Sequence, residues 1–297
     1  MAISRRALLI GGIAGGSVTV AAGGLLVNEG VLPGRVRAYS LLGLNGGSSP
    51  IPNVTPGSRY DGAFTSRARG GVRTGWSLSV PPGRQPAGLS LLVCLHGAGA
   101  NHQTAFEALG IDRFLAAAVA AGVPPFVVAS VDGDPHGYWH PRASGTDSAA
   151  MVHAELVPML RQRFSLADSL GLYGWSMGGY GALRMVMRGA AVQVAVASSP
   201  ALFAAFEPGA FAAYESGAFD SLADFRREGL RGEGAKYPSV PTRIDCGNGD
   251  PFYFPVRDFV EDMRPQPAGG FEDGGHTYGY WRRMLPVQLA FIGRQLT

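Results

Sequence analysis

Cysteine, lysine and net charge are what this 297-residue sequence has least of, and each scarcity excludes something. Its two cysteines, Cys94 in LLVCLHG and Cys246 in RIDCGNG, lie inside apolar runs and read as buried strand residues, not as a disulfide framework. Lys236 is the only lysine, so the positive charge is almost entirely arginine scattered along the chain. With 25 basic against 22 acidic residues the formal charge is +3, and no basic stripe argues for a nucleic-acid partner. No glycine loop is followed by Gly-Lys-Ser/Thr, which excludes that route to phosphate binding. No internal repeat or low-complexity block competes with a globular reading. His136 and His140, in DPHGYWHPR, have a spacing that could suit a metal, but they stand in a Gly/Pro loop with no acid–histidine pattern to complete a site. No metal site is expected there.

What is present is apolar content of 46%, enough for one large α/β domain or two small ones. At the N-terminus, Arg5 and Arg6 precede a mildly hydrophobic, glycine-rich segment that resembles a twin-arginine export signal. Residues 1–27 are therefore expected to be a signal or a retained anchor, with residues 8–27 associating with a membrane and the export machinery as a partner. The expected location is exported: cell envelope or secreted. Residues 28–59, rich in Gly, Pro, Ser and Asn, read as a linker.

The catalytic domain is expected over residues 60–297. Its first part, up to Pro81-Pro82, looks like two strands joined through Gly70-Gly71. GLSLLVCLHG is continuously apolar, as a strand buried on both faces would be. A helix from Thr104 to Ala121, a strand in PFVVASVDG and an amphipathic helix from about Ser148 to Phe164 follow. Further strands are expected in VQVAVASSP and TRIDCGNGD, and alternation of this kind argues for a mostly parallel sheet flanked by helices. Residues 201–239 exceed an ordinary connection and read as a short helical, cap-like insertion before the strand that carries the acid. Its aromatics suit either plain packing or a role near the site.

The stretch GLYGWSMGGYGALR places Gly174 and Gly178 two residues either side of Ser176, the G-x-S-x-G spacing of a nucleophile elbow between a strand and a helix. A serine hydroxyl needs a base to take its proton and a carboxylate to orient that base. On such sheets the order is serine, acid, histidine, and of the six histidines only His276 follows Ser176. The acid is assigned to Asp250, released into a Gly-Asp-Pro turn at a strand's C-terminal end, ahead of Asp245, Glu272 and Asp273. The backbone N–H of Met177 and that of Ala98 or Gly99, in LHGAGANHQ, are the expected oxyanion donors. His96 reads as a structural loop residue. Tyr138 and Trp139 are expected to wall the substrate cleft.

At these residues the sequence resembles the α/β-hydrolase superfamily and, within it, the esterase D and mycolyltransferase-like branch of serine esterases. LHGAGAN, GWSMGGYGALR, CGNGDPF and GGHTYGYWR match that branch's loop, elbow, acid turn and histidine turn in order, over most of residues 60–297. The resemblance implies the α/β-hydrolase fold, a serine carboxylesterase or acyltransferase acting on a small-molecule or lipid ester, Ser176, Asp250 and His276 as its triad, and no cofactor. Mycolyltransferases of the branch commonly use glutamate as the acid, so Asp250 favours simple hydrolysis. The alternatives are an acyltransferase acting on envelope lipids or sugars, and a non-catalytic binding protein on the same fold.

Overall fold

The computed structural model describes residues 34–206 and 216–296. The expected signal at residues 1–27 lies outside them, as do residues 207–215 of the insertion. Among the described residues no helix is long and apolar enough to cross a membrane.

A short helix, α1 (Arg35–Leu41), precedes the sheet. The strands are β1 (Arg59–Ser66), β2 (Val72–Ser79), β3 (Leu91–Leu95), β4 (Val127–Val131), β5 (Leu170–Trp175), β6 (Val194–Ser198), β7 (Thr242–Gly247) and β8 (Ala268–Glu272). They form one eight-stranded sheet in the order β1-β2-β4-β3-β5-β6-β7-β8. β1 and β2 form an antiparallel hairpin, β2 runs antiparallel to β4, and β4, β3, β5, β6, β7 and β8 are parallel neighbours. This is the α/β-hydrolase fold. Along β3, Leu91, Val93 and Leu95 enter one core while Leu92 and Cys94 enter the other, because successive side chains of a strand point to opposite faces. Both faces are covered, so the run carries no polar residue.

Helices cover the two faces: α2 (Thr104–Glu107), α3 (Ile111–Ala120), α4 (Ser148–Ala150), α5 (Val157–Phe164), α6 (Met177–Met187), α7 (Leu222–Glu228), α8 (Tyr253–Asp262) and α9 (Tyr278–Gln295). The single helix expected from Thr104 to Ala121 is broken. Gly110 adopts φ +74 and caps α3 where a β-carbon would strike the Ile51 side chain. The helix expected from Ser148 to Phe164 is continuous, with a π-helical stretch, Met151–Leu156, between α4 and α5. β8 escaped the sequence reading because AGGFE is half-exposed and offers no apolar run.

The linker reading also differs from what is found for residues 34–58. Besides forming α1, this stretch lies against the domain: the Ser49 N–H donates to Gly279 O (3.2 Å), and a β-carbon on Gly57 would overlap the backbone at Val80 and Pro81. Its contacts come from isolated side chains, the apolar Ile51 among them, and from backbone groups, which leave no periodic signature.

In the insertion, the Ser221 hydroxyl caps α7 by accepting from the Asp224 N–H (3.1 Å). The helix is tied to α6 twice: the Tyr180 hydroxyl donates to Glu228 O (2.8 Å), and Arg184 forms a buried ion pair with the Glu228 carboxylate through Nε (2.9 Å) and Nη2. Burial pushes the Glu228 pKa up, but the Arg184 hydrogen bond and charge outweigh it and hold the carboxyl below its usual range. Removing one partner strands the other charge in the core. Glu228→Gln is therefore expected to cost about 3–5 kcal/mol in urea unfolding, whereas Glu233→Gln, on the exposed pair with Lys236, should change stability by less than about 1 kcal/mol.

Candidate active site

β5 ends at Trp175, and the chain reverses into α6 through Ser176, at φ 56 and ψ −121. That backbone conformation is strained for any residue with a β-carbon. The two flanking glycines make it possible: a β-carbon on Gly174 would lie 2.1 Å from Gly178 O, and one on Gly178 would lie 1.9 Å from Leu95 O. Neighbouring backbone holds the turn, with the Ser176 N–H donating to Ser198 O and the Ala201 N–H to Ser176 O, both at 3.0 Å.

β7 delivers the carboxylate. After Gly247 the chain tightens so that the Asp250 N–H donates back to Gly247 O (3.0 Å), leaving Asp250 fully buried at the sheet's C-terminal edge. Its Oδ1 accepts from the Phe252 N–H (2.9 Å) and its Oδ2 from His276 Nδ1 (2.8 Å). The other imidazole nitrogen, Nε2, accepts from the Ser176 hydroxyl at 2.8 Å. Phe252 and Trp281 flank the imidazole, with ring centroids 5.3 and 5.0 Å away. Neither aromatic was singled out in the sequence; only their nearness to Asp250 and His276 hinted at this place. Asp245 is occupied elsewhere, bound by Arg243 and by Gln288 of α9 (2.7 Å), and burial raises its pKa.

The loop after β3 crosses directly over the serine: a β-carbon on Gly97 would lie 2.8 Å from Trp175 Nε1 and 3.4 Å from Ser176 Cβ. The Gly99 N–H, one of two alternatives for an oxyanion donor, already donates to Pro135 O (2.8 Å), so that assignment is corrected. The N–H groups of Ala98 and Met177 have no acceptor among the described residues. At Met177 this follows from its place as the first residue of a helix. Beneath them His96 is fully buried, its Nε2 accepting from the Gly133 N–H (2.9 Å) and its Nδ1 facing Gly97 O (2.8 Å).

Tyr138 and Trp139 do not form an open wall: they are only 5% and 1% exposed. Trp139 fills the space left by Gly133 and Gly181 and donates its indole N–H to His96 O (3.2 Å), while Tyr138 packs against Tyr180, Phe203 and Phe219. Sequence showed the loop but not the space those glycines open. His140 turns both ring nitrogens toward backbone carbonyls, of Pro141 and Ala218, each at 2.8 Å.

A serine, an imidazole and a buried carboxylate joined in this way, at the C-terminal edge of this sheet, suit acyl chemistry through the hydroxyl and define the class: a serine ester hydrolase on the α/β-hydrolase fold. The chain belongs to the esterase family, whose model matches residues 71–253. Solved structures with the same fold include a ferulic acid esterase, 18% identical with a TM-score of 0.69, covering 81% of this chain and 99% of that one. An S-formylglutathione hydrolase from Agrobacterium tumefaciens is 16% identical with a TM-score of 0.67, covering 85% and 100%. MPT51 from Mycobacterium tuberculosis is 14% identical with a TM-score of 0.61, covering 84% and 100%. At such identities the likeness concerns the fold alone. No curated protein matches the sequence.

His96 makes the loop after β3 a source of acid sensitivity. Burial pushes its pKa down to about 4 from 6.5, against an opposing hydrogen bond to Gly97 O. A base with a depressed folded-state pKa contributes stability fully present above about pH 6.5, and that stability is lost as pH falls toward 4, where the unfolded chain binds the extra proton. The loss expected from this group is about 3 kcal/mol, read from urea midpoints between pH 7 and pH 4. His96→Asn should be less stable at pH 7 and lose less on acidification.

Proposed function

We propose that the protein is an exported serine carboxylesterase working through a Ser176–His276–Asp250 triad and an acyl-enzyme. The observation that carries this reading is the single imidazole bridging Ser176 Oγ and Asp250 Oδ2, at 2.8 Å on each side. As Ser176 attacks an ester carbonyl, His276 Nε2 takes the hydroxyl proton and Asp250 stabilises the imidazolium through Nδ1–H. The oxyanion that develops is met by the N–H groups of Met177 and Ala98, which are already oriented and so need no reorganisation during the step. The imidazolium returns the proton to the leaving alcohol. Water, activated by the same imidazole, then attacks the acyl-enzyme, releasing the carboxylic acid and restoring the Ser176 hydroxyl. The substrate is an acyl ester of a small molecule or a lipid.

The arginine pair Arg5-Arg6 before an apolar segment supports export of the folded chain. Replacing both with lysine is expected to leave the protein inside the cytoplasm in a cell-fractionation assay; unchanged export would remove the twin-arginine reading.

Aryl esters of graded acyl length and a fluorophosphonate probe test the chemistry. Wild type should turn over at least one ester and take the label, and Ser176→Ala should lose both. His276→Ala and Asp250→Asn should each lower kcat by roughly ten-thousandfold. Labelling or turnover that persists in Ser176→Ala would sink the mechanism.

A further inference from the structure

The two loops that deliver the acid and the base are laced together from outside the sheet by the segment that precedes it. Arg35, the first residue of α1, is buried. Its Nε donates to Asn248 O (2.7 Å), two residues before Asp250, and its guanidinium lies 4.2 Å from the ring centroid of Tyr253, three residues after it. One side chain thus grips the acid turn on both sides of the carboxylate. Asn45 does the corresponding work between the loops. A β-carbon on Gly249 would lie 2.1 Å from Asn45 Oδ1, and one on Gly275 would lie 3.3 Å from Asn45 Cγ. The asparagine side chain therefore fills the space left by two absent β-carbons, one immediately before Asp250 and the other immediately before His276. Farther along, the Ser49 N–H donates to Gly279 O (3.2 Å), and Arg283 donates to Gly47 O (2.5 Å) and to Asp273 O.

The side-chain pattern of this segment is the reverse of ordinary surface packing. Leu41, Leu42 and Leu44 are 76%, 70% and 44% exposed, while the polar Arg35 and Asn45 point inward. Burial of apolar area therefore does not account for where it lies; the Arg35 contacts to the acid turn, the close fit of the Asn45 side chain between the two loops and the hydrogen bonds at Gly47 and Ser49 do. Catalytic groups have to be held within about 0.5 Å of their working positions, and a misplacement of about 1 Å can cost a hundredfold in rate.

We propose that residues 35–49 form a strap that keeps Asp250 and His276 in register, with Arg35 and Asn45 as positioning residues. The proposal rests on the esterase reading above. Neither residue touches substrate; each acts through the turn it holds. In the full chain, Arg35→Ala and Asn45→Ala should each lower kcat on an aryl acetate roughly tenfold, with KM within about twofold. Fluorophosphonate labelling should slow by the same factor. Arg35→Lys should recover part of the rate, since an ammonium keeps its attraction to the Tyr253 ring but loses the guanidinium fork. Arg37→Ala, an exposed arginine on the same helix, should behave as wild type.

Melting temperatures recorded alongside separate misplacement from unfolding; if Arg35→Ala melts below the assay temperature, Asn45→Ala supplies the comparison. A second readout needs no turnover: the low-field proton resonance of the Nδ1–H bond between His276 and Asp250 should weaken or vanish in both alanine variants. Alanine variants with wild-type kcat, or with that resonance unchanged, overturn the strap. A wild-type protein that hydrolyses no ester but whose resonance still depends on Arg35 would overturn the esterase reading and leave the strap standing.

Discussion

The sheet edge that carries Ser176 depends on one close approach, that of the Gly178 backbone to the Leu95 carbonyl beneath it. A β-carbon at Gly178 would come within 1.9 Å of that oxygen, so β3, β5 and α6 can meet only with glycine there. The left-handed φ at Ser176 costs of order 1–3 kcal/mol, and three strands offset it: β5 leads into the turn, β6 accepts its N–H, and β3 fixes the floor. The same approach brings the loop after β3 across the serine, with Gly97 against Ser176 and the N–H groups of Ala98 and Met177 left without an acceptor among the described residues. Strain at Ser176, the position of its hydroxyl and the path of the loop after β3 are thus one structural event.

Asp250 and His276 arrive from the other half of the sheet by backbone pairing that continues past the strand ends. The Asn248 N–H donates to Glu272 O (2.7 Å) and the Gly249 N–H to Gly274 O (2.8 Å), so the β7–β8 ladder runs on into the two turns. Asp250 and His276 are aligned before their side chains meet. Phe252 and Trp281 then limit how the imidazole can swing. On the far side, the buried Arg184–Glu228 pair ties the insertion to the elbow helix, so Phe203 and Phe219 pack as part of the core and not as a separate layer.

Much of this was legible in the sequence, and unevenly. β3 to β6 announce themselves because strands buried on both faces are mostly apolar, and β7 through the Ile-Asp-Cys-Gly run that leads into the acid turn. β8 does not, since an edge strand with half-exposed glycines has nothing periodic to show. The break between α2 and α3 was hidden because Gly110 is demanded by Ile51, far away in the chain. Tyr138 and Trp139 looked like cleft aromatics from their place in a loop after a strand. Their burial depends on Gly133 and Gly181, which only the folded chain sets beneath them.

The sequence by itself determined where the chain turns sharply and which side chains stand at those turns: a serine between two glycines, an aspartate after Gly-Asn-Gly, a histidine after Gly-Gly. These are local matters, since the permitted φ and the absence of a β-carbon are properties of a residue and its immediate neighbours. Tertiary structure decided which loop N–H is left without an acceptor, Ala98 or Gly99, which carboxylate faces His276, and that residues 34–58 lie against the site. Hydrogen-bond saturation and burial are set by groups that arrive from distant parts of the chain, Pro135 onto Gly99 and Arg35 onto Asn248, and no local pattern records their arrival.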